Sequence, residues 1–217
     1  GFSLMVVGSQ ELSLLDNAQV VYDMAGLVTA LGALLAVIAG IDAIGGERER
    51  GSLLPLLLAP VPRGSILAGK LGGPVAAWGG MLALAAPYFW AVGSTGQNLV
   101  SGIVALLVLG TPVVLGFGFL GVALGAWMQS GRTALSVALT GLVLSASPLL
   151  LGPSLRQSAI GRMFDAVNPF SAALNGFDAV IIDSQGAFAQ AGHAAVAVAW
   201  LALTAWAAAA AMHRVSR

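Results

Sequence analysis

Charged positions along the chain are sparse and grouped, and the apolar stretches between them set the reading. Eighteen uncharged residues separate Asp23 from Asp42, 61 separate Lys70 from Arg132, 23 separate Arg132 from Arg156, and 30 separate Asp183 from Arg214. A membrane-spanning helix needs ~20 mostly apolar residues. The first, third and fourth runs each hold one span. The second holds two, divided by the polar stretch Gly93-Ser94-Thr95-Gly96-Gln97-Asn98, which has turn chemistry. The total is five spans. By contrast, only 12 residues lie between Arg50 and Arg63, too few to cross. That run, Leu53 to Ala59, is bounded by charges at one end and by Pro60-Val61-Pro62 at the other. It is predicted to be a helix lying at the membrane surface.

Composition agrees: 58% of the 217 residues are hydrophobic and 8% are charged, against about a quarter charged in soluble domains. So few charges cannot cover a water-exposed surface of this size. Net charge is zero and there is no cysteine. No basic face argues for nucleic acid, and disulfides and thiolate metal sites are excluded. The expected fold is an all-α, polytopic membrane helix bundle forming one domain over 1–217. The chain opens on Gly1 rather than Met, and the count is five, or six if a first span is missing from its front.

Orientation follows the excess of Lys and Arg in cytoplasmic loops. With Arg48, Arg50, Arg63 and Lys70 inside, five alternating spans also place Arg132, Arg214 and Arg217 inside, and only Arg156 and Arg162 outside. The C-terminus is then cytoplasmic. The segment 44–66 becomes an inner connection and 153–183 an outer one.

The inner connection reads DAIGGERERGSLLPLLLAPVPRGSILAGK from Asp42 to Lys70. Its marks are Glu47-Arg48-Glu49-Arg50, Gly51-Ser52-Leu53, Leu56-Leu57, Pro60, Arg63 and Gly69-Lys70. In order, spacing and placement between two spans, it resembles the type-2 permease family of ATP-binding-cassette (ABC) transporters. A looser likeness covers the rest of the chain, including Asn168-Pro169 before the last span. Within the family, the likeness is to permeases serving nitrous-oxide-reductase maturation. The resemblance implies a permease subunit of an ATP-driven exporter in a bacterial or archaeal cytoplasmic membrane. Two permease copies, as a homodimer, would work with two copies of a separate ABC ATPase subunit, and a periplasmic partner could join them. It also implies that Glu47, Arg48, Glu49, Arg50, Gly51, Ser52, Leu53, Pro60 and Arg63 meet the ATPase. A charge run alone reads as a solvated face, and a non-transporting scaffold or mechanical coupler is the competing function. A passive channel would need polar residues repeated along a span, and apart from Asp42 and Lys70 at span margins the span interiors hold no charge. Uncharged spans are consistent with an apolar or lipid-like cargo.

No catalytic site emerges. Gly64 to Lys70 fits G-x-x-x-x-G-K, but Leu71 stands where a phosphate loop needs Ser or Thr for Mg²⁺, and no strand precedes it. His193 and His213 lie near opposite ends of the last span, too far apart to share a metal. The six methionines are scattered, and no Ser-His-Asp grouping can be placed. No cofactor is expected.

Two further features carry packing expectations. Gly116, Gly118, Gly121 and Gly125 give one span a small-residue face, for contact either across a dimer or inside one bundle. In the outer connection, Asn168 is expected to cap a helix that begins at Pro169. Phe170, Ala173, Leu174, Phe177, Val180 and Ile181 form its apolar stripe, with Ser171, Asn175 and Asp178 off it. That helix is expected to lie at or dip into the outer surface, with Asp178 facing water or a partner.

Overall fold

A computed structural model describes residues 14–51, 63–94, 98–149 and 159–215. Ser52, Leu53 and Pro60, the predicted surface helix from Leu53 to Ala59, and residues 150–158 lie outside the described residues. The described residues are helical, with no strand among them. The helices are α1 (Leu14–Glu49), α2 (Arg63–Lys70), α3 (Gly72–Gly93), α4 (Leu99–Ala105), α5 (Thr111–Trp127), α6 (Gly131–Ala146), α7 (Ala159–Val167), α8 (Pro169–Phe177) and α9 (Ala191–Val215). A wide π turn, Leu106–Gly110, joins α4 to α5 without a break, and a second, Asp178–Ile182, extends α8.

Five stretches are long and apolar enough to cross a membrane: Asn17–Glu49, Gly64–Gly93, Leu99–Trp127, Gly131–Leu149 and Ala191–Met212. These are the five spans expected, but the first is much longer than its charge-free run. α1 has 36 residues, about 54 Å at 1.5 Å per residue. Charges did not end it because a helix satisfies its own backbone on either side of the hydrocarbon boundary. Asp23 is held by the Gln19 amide one turn back, at 3.0 Å. Asp42 faces Arg50 at 3.7 Å.

The described chain forms two compact units, each built around apolar side chains. The first comprises residues up to 31 with 80–113 and 145–198. Its interior holds Val21, Ala25, Phe89, Leu109, Phe170, Leu174 and Phe177, all buried. Gly102 lets the Val21 and Phe89 side chains close in, since a Cβ there would lie 2.7 Å from Val21.

The second comprises 32–79 with 114–144 and 199–217. Here α1 and α5 touch backbone to backbone. A methyl at Gly121 would fall on the Val37 carbonyl, one at Gly125 would sit 2.8 Å from the Ile41 oxygen, and one at Gly40 would meet the Gly118 carbonyl. Gly118 also receives Pro74 of α3, and Gly116 receives the Trp200 indole of α9. All four glycines of the predicted small-residue face are therefore used inside one chain. Of the two readings left open, these contacts belong to the single bundle. The physical reason is reciprocity: Gly40 on α1 meets the glycines of α5, so neither helix has a Cβ at the crossing.

The segment 159–183 differs from the sequence reading in how its helix is buried. α8 begins at Pro169 behind the Asn168 cap, as the dipeptide requires, with Asn168 Oδ1 accepting from the Phe170 N–H at 2.8 Å. The Asn168 amide also donates to the Ser145 carbonyl at 2.9 Å. Yet α8 is buried on nearly every side, not along a stripe. Ser171, expected off the apolar face, is fully buried. Its hydroxyl donates to Asp165 Oδ1 of α7 at 2.6 Å. That bond removes the cost of enclosing a hydroxyl. Asp178 is exposed. Amphipathic α7 carries the open apolar surface instead, through Met163, Phe164 and Val167.

Candidate functional site: the clamped end of the first span

The charge cluster Glu47-Arg48-Glu49-Arg50 is the last turn of α1 and its exit. Nothing from Ile44 to Glu49 breaks the helix, so it runs on until Gly51. There the Gly51 N–H bonds to the Arg48 carbonyl at 3.1 Å and the backbone turns left-handed, φ +72°. An L side chain costs about 1–2 kcal/mol in that conformation, so glycine suits this C-terminal stop.

Within the cluster the side chains divide. Glu47 and Arg48 are half-buried, while Glu49, Arg50 and Gly51 are exposed. Glu47 pairs with Lys70 at the end of α2, and the two side chains are 29% and 11% exposed. Arg48 reaches the end of α5. Its guanidinium donates to the carbonyls of Gly125 at 3.1 Å, Ala126 at 3.0 Å and Met128 at 2.5 Å. The last carbonyls of any helix lack intrahelical partners and carry a partial negative charge. A guanidinium offers a planar fork of donors that serves several such oxygens together. α2 is also packed in place: Ile66 is buried among Ile44, Val122, Ala123, Ala208 and Met212, with Leu67 and Leu71 against the same cluster.

Glu49 lies beside the start of α6, where its carboxylate comes 3.1 Å from the position of a Cβ on Gly131. Asp42, Glu49, Gly131 and Arg132 edge a shallow groove there of about 270 Å³. Arg63 opens α2, and its side chain lies outside the described residues. The contacts of Glu47 and Arg48 were not legible from the sequence. Their partners are 23 and about 80 positions away, and three of them are backbone oxygens with no residue signature.

No group of three or more His, Asp or Glu side chains able to hold a metal occurs among the described residues. Five apolar spans, an all-helical bundle and a charged clamp joining the ends of three helices define a multi-pass membrane protein. The sequence matches the ABC-2 family transporter protein profile over residues 3–216. The match covers nearly the whole chain, which belongs to the ABC-2 family of transporter membrane proteins. The match is to the family as a whole and does not single out the maturation permeases. No curated protein matches the sequence.

Proposed function

We propose that the chain is the permease subunit of an ATP-driven ABC exporter, and that a separate ATPase subunit docks on the connection from Glu47 to Arg63. The observation that carries this reading is the clamp. Arg48 is bonded to the end of α5, Glu47 is paired with the end of α2, and Ile66 seats α2 in the apolar cluster. A push on this connection would therefore move three helix ends together. Coupling a soluble motor to a bundle needs such rigid-body transmission. Glu49, Arg50 and Gly51 are exposed beside the clamp and offer both charge signs to a partner. Family membership supplies the need for an ATPase. Two permease and two ATPase copies would make the working unit, with the connection cytoplasmic and 153–183 outside. Alternating access is then a shift between two bundle arrangements.

The test co-purifies the chain with its ATPase and compares wild type with Glu49→Arg and Gly51→Trp. Docking should weaken by about 1–3 kcal/mol where the charged contact is desolvated, and ATP-dependent activity should fall with it. Thermal midpoints of the isolated chain separate lost docking from lost folding. If assembly and ATP-dependent activity both survive in both variants, the connection is a membrane-surface loop and the coupling role is wrong.

A further inference from the structure

A recess of about 440 Å³ lies at the end of the bundle where three spans finish, lined by Arg48, Ala126, Trp127 and Arg214. The described spans end at Glu49, Trp127 and Met212, so every lining residue stands within two positions of a span end. Span ends fall toward the headgroup region of a bilayer. Trp127 is 45% exposed, and half-exposed indoles at span ends sit at the membrane–water boundary.

Among the described residues, its lining holds two guanidiniums and no carboxylate. Of the acidic groups near it on α1, Glu47 pairs with Lys70, Asp42 faces Arg50, and Glu49 is exposed and edges the groove beside the start of α6. Among the described residues neither Arg48 nor Arg214 has a carboxylate partner. Arg48 gives three N–H groups to the end of α5, which leaves two of its five donors. Arg214 is exposed in the last turn of α9. Helix C-termini offset only part of this charge, about half an elementary charge each. The balance is positive, donor-rich and next to an aromatic wall.

We propose that this recess binds the phosphate headgroup of an anionic phospholipid. Arg48 and Arg214 would contact the phosphate oxygens, and Trp127 would lie against the glycerol and upper acyl chain. Basic pockets between spans at the headgroup level suit such a ligand, and guanidiniums match phosphate geometry. The aromatic wall gives the lipid a contact that a free phosphate lacks. The site requires only that the chain spans a membrane, and it stands whether or not the ATPase-docking role is correct.

The experiment is native mass spectrometry of the purified full chain titrated with equimolar phosphatidylglycerol and phosphatidylcholine. Phosphatidylglycerol should be retained in preference. Arg214→Gln should reduce that preference by about fivefold, the effect of roughly one cation near an anionic headgroup. Arg132→Gln removes the same charge from the groove beside α6 and should leave the preference unchanged. A large excess of inorganic phosphate should fail to displace the lipid. Equal retention of the two lipids would overturn the proposal. So would equal loss in the two arginine variants, which is the signature of diffuse surface charge, or displacement of the lipid by inorganic phosphate.

Discussion

Replacing Arg48 by methionine tests the clamp most directly. The substitution keeps an unbranched apolar stem and removes three charged hydrogen bonds to the carbonyls of Gly125, Ala126 and Met128. A hydrogen bond to a charged group contributes about 1.5–3 kcal/mol. The three are not additive, because one guanidinium makes them all. The recess beside Arg48 is also lined by Ala126, so in the variant water can replace part of what the guanidinium gave. The expected cost is therefore roughly 2–4 kcal/mol. For a chain of this size that lowers the thermal midpoint by roughly 5–15 °C. Arg48→Lys retains the charge at the helix end but not the planar fork, and should lose about half as much. Arg50→Gln is the control. Its pairing with Asp42 is long, 3.7 Å, and both side chains are mostly exposed, so it should cost well under ~1 kcal/mol. The assay is unfolding of the purified chain in one fixed detergent, followed by near-ultraviolet circular dichroism. An Arg48→Met midpoint indistinguishable from that of Arg50→Gln would refute the claim that this guanidinium holds α1 to the end of α5.

Three further outcomes are expected. Gly121→Val should destabilise by about 1–3 kcal/mol because its side chain must displace the Val37 backbone. Gly79→Ala, whose Cβ meets nothing within 4 Å, should be neutral or slightly stabilising; equal midpoints for the two would sink the close-crossing account. Asn168→Ala removes both the α8 cap and the bond to the Ser145 carbonyl, and should cost about 1–2 kcal/mol. Hydrogen exchange at Phe170 and Ser171 should rise with it, and unchanged protection there would count against the cap. Single cysteines at Thr95 and Ser130, introduced into this cysteine-free chain, test the orientation. An impermeant thiol reagent applied to intact cells should label only Thr95, and labelling of Ser130 alone would invert the topology.

The sequence alone determined the number and order of the spans, because a bilayer core imposes a length of apolar chain that no other constraint imitates. The helix break between Gly93 and Leu99, the cap at Asn168 and the helix start at Pro169 were legible for a related reason. Each is a local matter of backbone hydrogen bonds and φ, settled by neighbours within four residues.

What only the tertiary structure decided is what those elements meet. The Gly116-to-Gly125 face could serve a partner or the chain itself, and only the placement of Gly40, Pro74 and Trp200 opposite it shows the latter. Ser171 reads as surface in any helical projection, yet Asp165 from α7 encloses it. Charge alternation in Glu47 to Arg50 looks like one solvated run, but a helix turns 100° per residue. Two of the four side chains therefore face the bundle, where Lys70 and the carbonyls at the end of α5 receive them. Periodicity shows which residues share a face; which oxygen or which helix waits opposite that face is a property of chain segments brought together from far apart in sequence.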